Sequence, residues 1–123
     1  MIAVFKILAL IPLPLLHALG IALGWLIYWA PGRHSVRMRN NVYSSGLCSQ
    51  PHECRRLLRR AIGESGKALL ELAPVWMRPY DKVLKLIKGT RGWEHIDAAL
   101  AAGRGVIIIA PHLGCFELIN LYY

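Results

Sequence analysis

The chain has 123 residues, 55% of them hydrophobic, and 15 Lys and Arg against 7 Asp and Glu for a net charge of +8. That length holds one small domain, and three cysteines, an odd number, argue against a disulfide framework and for a reducing compartment. There are no internal repeats and no low-complexity segments, so a repeat array is excluded.

From Ile7 to Ala30 the only strongly polar side chain is His17. As one helix this stretch spans about 36 Å, enough for a bilayer core. If Pro12 and Pro14 end the helix, Leu15–Ala30 covers only about 24 Å. Trp25, Tyr28 and Trp29 at its C-terminal end have the look of an interfacial aromatic belt. Tyr28 is too bulky for the −3 position of a signal-peptidase site ending at Ala30, and a buried core helix needs more surrounding chain. Residues 1–30 are therefore expected to form a transmembrane anchor. Arg33, Arg37 and Arg39 outweigh Lys6 and the α-amino group, which places residue 31 onward in the cytoplasm.

Residues 31–50 read as a basic juxtamembrane segment. Pro31-Gly32 breaks the helix, Arg33–Tyr43 can resume it along the membrane surface, and Ser44-Ser45-Gly46 is a turn. Between Arg33 and Arg60 there are seven arginines and one acid, Glu53. Such a patch suits anionic headgroups, an acidic protein or nucleic acid, and the adjacent anchor favours lipid or an acidic partner over nucleic acid. Cys48-x3-His52-x-Cys54 offers three ligands at an unusual spacing with no fourth nearby, so no metal site is assigned.

Residues 51–123 show domain-like patterning. Ser49-Gln50-Pro51 reads as an N-cap followed by a first-turn proline. Leu57, Leu58, Ala61, Ile62, Leu69 and Leu72 then recur at helical steps up to Pro74, with Gly63 and Gly66 as weak points. The arginines in the first turns oppose the helix dipole and so serve something other than helix stability. Val83–Ile87 is expected as a strand, Trp93–Ala102 as a helix closed by Gly103, and Gly105–Ala110 as a buried strand. A further helix follows from Gly114 to Tyr123. Strand–helix–strand–helix begins an α/β domain with a mostly parallel sheet. Two strands do not make a stable sheet, so the chain reads as the N-terminal portion of a larger, truncated domain.

The chemistry is concentrated in His112 and Glu117. Residues five apart on a helix diverge by roughly 140°, so the two meet only if His112 lies in the loop after the strand and Glu117 in the first turn of the next helix. Pro111 favours extended geometry at Ala110, and Gly114 permits a sharp turn. Glu117 would then fix the imidazole tautomer, leaving the other nitrogen to take a proton from a hydroxyl. Competing patterns fail. There is no i,i+4 histidine pair, Gly103-Arg104-Gly105 precedes its strand, and Gly63-Glu64-Ser65-Gly66-Lys67 is one residue short of a phosphate loop.

These residues resemble a known family. His112-x4-Glu117, the preceding Gly103–Pro111 run and Arg91-Gly92-Trp93-Glu94 are similar to the lipid A biosynthesis lauroyl/myristoyl acyltransferases, within the wider HX4D/E acyltransferase group. The anchor, the Arg-rich segment and the helix ending in Leu69-Leu70-Glu71-Leu72 also match that family's layout. The resemblance implies transfer of a fatty acyl chain from an acyl-carrier-protein thioester to a hydroxyl of a lipid A precursor, at the cytoplasmic face of the inner membrane and without a cofactor. His112 would be the general base and Glu117 its orienting partner. The family often has Asn-Trp where this chain has Cys115-Phe116. Family members run well past residue 123, so the chain is expected to be inactive alone. The alternative is a small membrane-anchored basic protein that binds anionic lipid or an acidic partner without catalysis.

Overall fold

The computed structural model describes residues 2–111 and 114–122. Its elements are α1 (Ile2–Leu10), α2 (Leu13–Trp29), α3 (Arg33–Ser44), α4 (Pro51–Met77), α5 (Tyr80–Leu84), α6 (Trp93–Ala101) and α7 (Glu117–Tyr122). They fall into two compact units, Met1–Met77 and Arg78–Tyr123. No strand occurs among the described residues, and the expected α/β architecture is replaced by an all-helical one.

The first unit is organised by α4, whose 27 residues reach about 40 Å. Cys54, Leu58 and Ile62 recur every fourth residue and are buried, as are Ala73, Pro74 and Val75 in its last turns. The helix passes Pro74 and runs to Met77, one turn further than the sequence suggests. Pro74 lacks the N–H that would bond Leu70, and the burial around it offsets that loss. Helices α1, α2 and α3 all pack on α4. The α2–α4 crossing is very close. A Cβ on Gly66 would collide with the Gly20 carbonyl and lie 2.6 Å from the Gly24 nitrogen, and one on Gly20 would lie 2.8 Å from the Lys67 Cα. Only glycine, which has no Cβ, allows the two backbones to touch in this way.

Pairing along α4 runs in reverse order. Ile62 and Gly66 face Gly24, Glu71 faces His17, and the Trp76 ring stacks on Phe5 with centroids 6.1 Å apart. The α1–α2 line is thus antiparallel to α4. Where α2, α3 and α4 meet, Val42, Leu58 and Ile62 form a core cluster flanked by Trp25, Tyr28, Met38 and Leu57.

Two sequence expectations fail in this unit. The anchor over residues 1–30 is not one helix. Pro12 takes extended backbone, ψ 139°, and splits it into nine-residue α1 and seventeen-residue α2. At about 14 and 26 Å neither spans a 30 Å hydrocarbon core. No single helix among the described residues is long and apolar enough to cross a membrane, and α2 and α3 are bent by 103° at Pro31-Gly32. Cys48 and Cys54 form a disulfide, with Cα atoms 5.2 Å apart. The turn at Gly46 folds the preceding loop back onto the first turn of α4, and an odd cysteine count does not exclude one such local pair.

In the second unit the expected strand Val83–Ile87 is the end of α5 and a following turn, with Leu86 and Ile87 N–H donating to the Val83 and Leu84 carbonyls. Pro79 starts the helix with Asp81 in its first turn. The expected strand Gly105–Ala110 takes no regular secondary structure, leaving Ile107 93% and Ile109 88% exposed. A helix satisfies its backbone within the segment, whereas a strand needs a neighbour, and none is present among the described residues. Helix α6 forms where the sequence places it, followed by Gly103 in the left-handed region.

Candidate active site

Glu117 is the first residue of α7, as the spacing argument requires of the carboxylate. Gly114, three residues earlier, has φ +59°, a conformation that strains any residue with a Cβ, and it turns the chain into the helix. The turn is closed by Leu118 N–H donating to the Cys115 carbonyl at 3.1 Å and Ile119 N–H to the Phe116 carbonyl at 3.0 Å. The Glu117 side chain is half-buried. His112 lies outside the described residues, and so does the His112–Glu117 contact expected from the sequence.

Next to Glu117 in the chain, Leu118 and Ile119 form one wall of an apolar pocket whose other wall is Ile87, Thr90 and Trp93. Its volume is about 170 Å³, close to the roughly 150 Å³ of an apolar cavity that holds benzene. A site of that size takes a stretch of about six carbons. Sequence reasoning missed this pocket. Its one sequence signal was Trp93, in the Arg91-Gly92-Trp93-Glu94 segment, which becomes the first residue of α6.

A second histidine–carboxylate pair was also missed. His17 Nε2 lies 2.7 Å from Glu71 Oε1 across the α2–α4 interface, with side chains 30% and 20% exposed. Nε2 is sealed from solvent and makes no directed hydrogen bond. It has no apolar pocket beside it among the described cavities, and it lies where α2 and α4 pack together. The signal in the sequence was His17 itself, the one polar residue in an apolar run.

A family model for the bacterial lipid A biosynthesis acyltransferases matches residues 1–122. No curated protein and no solved structure matches the chain significantly.

Proposed function

Because the chain belongs to the bacterial lipid A biosynthesis acyltransferase family, we propose that it serves transfer of a fatty acyl chain from an acyl-carrier-protein thioester to a hydroxyl of a lipid A precursor. The observation that carries this reading is the family match over residues 1–122, which includes both His112 and Glu117. His112 accepts the proton of the acceptor hydroxyl as its oxygen attacks the thioester carbonyl. The C–S bond then breaks, and the imidazolium returns the proton to the leaving thiolate. Glu117, at the start of α7, orients the imidazole and balances its charge. The apolar pocket lined by Ile87, Thr90, Trp93, Leu118 and Ile119, the last two following Glu117 in the chain, supports an aliphatic substrate. The family is membrane-associated in bacteria, and the reaction is assigned to the cytoplasmic face of the inner membrane.

The test is acyl transfer by membranes containing the parent protein, since the 123 residues are not expected to act alone, given a radiolabelled acyl-carrier-protein donor and a lipid A precursor. His112→Ala should lower the rate by roughly 10²–10⁴-fold with helicity unchanged, and near-normal transfer would overturn the assignment. Ile119→Trp, which fills the pocket, should weaken binding of long acyl thioesters more than short ones. The exposed arginines of α3 and α4 make no salt bridge among the described residues, which favours a second reading as a non-catalytic binder of anionic lipid. Wild-type protein that binds anionic vesicles but transfers no acyl group would establish that reading instead.

A further inference from the structure

The connector between α3 and α4 is hydrogen-bonded at both ends. At the α3 end the Ser45 hydroxyl donates to the Val42 carbonyl at 2.8 Å and accepts from the Leu47 N–H at 3.2 Å. Gly46, at φ +70°, turns the chain in the left-handed region. At the α4 end the Glu53 carboxylate accepts from the Ser49 and Gln50 N–H groups. Cys48 and Cys54 stand on either side of that cap, joined by their disulfide. The surroundings suit the separate thiols as well. Cys48 Sγ lies 3.9 Å from the Val42 carbonyl oxygen, and Cys54 Sγ lies 3.6 Å from the Cys48 carbonyl oxygen. Each S–H therefore has an acceptor in place, and reduction leaves neither thiol without a partner.

The bond matters because α3 is lightly held. Val42 is the one buried residue among its 12. The connector's other hydrogen bonds lie at the surface, where each contributes little. A disulfide closes the short loop from Cys48 to Cys54 and removes the freedom of the opened chain. The charges flanking the apolar N-terminal run assign residue 31 onward to the cytoplasm. There thiol buffers keep dithiols reduced unless an oxidant intervenes. A pair seated for both states in that compartment is one that changes state.

We propose that Cys48 and Cys54 are a reversible redox-modification site, oxidised by a low-molecular-weight disulfide such as glutathione disulfide, that clamps the end of α3 to the start of α4. Cys48, the more exposed of the two, attacks as a thiolate and displaces one glutathione, leaving a mixed disulfide. Cys54 lies in the first turn of α4 beside Arg55 and Arg56, where negative charge is favoured. Its thiolate then attacks the Cys48 sulfur and releases the second glutathione. Two electrons pass to the glutathione disulfide, and the two thiol protons end on the glutathiones released. Reduction by glutathione runs the same steps backward. None of these steps involves His112 or Glu117, so a failed transfer assay leaves the clamp standing.

The experiment equilibrates the full chain with reduced and oxidised glutathione at a series of ratios, then denatures it in a maleimide that labels every thiol. The tryptic peptide from Asn40 to Arg55 carries both cysteines. It should take no label where the pair is oxidised and a label on each cysteine where it is reduced, with the change falling inside the series. An unlabelled, closed pair at every ratio means a permanent structural disulfide, and full labelling at every ratio means no pairing. Glutathione left on either sulfur without closure means that the thiols do not meet. Each of these three results overturns the proposal. Trypsin cutting of the folded chain at Arg33, Arg37 and Arg39 reads the clamp. Cleavage should be roughly tenfold faster in the reduced form, and Cys48→Ser should show that faster rate in both buffers. Equal rates for oxidised and reduced wild type overturn the clamp. Should Cys48→Ser fail to fold, the wild-type labelling and cleavage ratio decide the matter by themselves.

Discussion

At the entrance of α4 the Glu53 carboxylate accepts hydrogen bonds from the backbone N–H groups of Ser49 and Gln50, at 3.0 and 3.1 Å. This is the carboxylate half of a capping box. The Gln50 and Ser49 donors hold its pKa below the ordinary 4.5. A carboxylate with a lowered folded pKa contributes stability fully above the ordinary value and loses it as pH falls through the folded one. Thermal melts should therefore show an acid-induced loss below pH 4.5 that shrinks in Glu53→Ala; an unchanged acid limb would refute the cap. The glycines give a sharper contrast. Alanine gains about 1 kcal/mol over glycine in a helix. At Gly63 the new Cβ would meet only Ile21 side-chain atoms at 3.6 and 3.8 Å, so Gly63→Ala should stabilise by up to about 1 kcal/mol. At Gly66 it meets backbone that cannot move aside, and Gly66→Ala should cost about 1–3 kcal/mol despite the propensity gain. Equal melting temperatures for the two variants would contradict the crossing.

Among the elements, α4 was the most legible. Its three- and four-residue apolar steps, its proline at the first position and its basic first turns all lie in the sequence, and the helix forms there. Helix α6 was legible for the same reason, a local pattern with a glycine stop. The two strands were not. Four successive β-favouring residues, Val106–Ile109, describe a side-chain preference, but a strand exists only with a hydrogen-bonded neighbour. In the structure these residues form no regular element and are largely exposed. Amide hydrogen exchange should be near the unprotected limit at Val106–Ile109 and slow in the middle of α4. Protection at Val106–Ile109 would restore the strand.

For the molecule as a whole, burial is uneven. Of the core residues, Ala9, Leu16, Val42, Cys54, Leu58, Ile62, Ala73 and Val75 belong to the first unit and Val83 to the second. Most of the core among the described residues lies in the first unit, and Glu117 lies in the second. The sequence by itself pointed to the family, through His112-x4-Glu117 and the segments that precede it, and the family match over residues 1–122 bears that out. It also determined the helical register of α4 and the place of Glu117 at a helix start, since both follow from local spacing. Only the tertiary structure decided that residues 1–30 break into two helices packed on α4. The glycine crossing, the His17–Glu71 contact and the Cys48–Cys54 disulfide were likewise visible only there. Each of these depends on which distant backbones approach, and the one-dimensional pattern of apolar residues is the same whether the face they make meets lipid, a neighbouring helix or water.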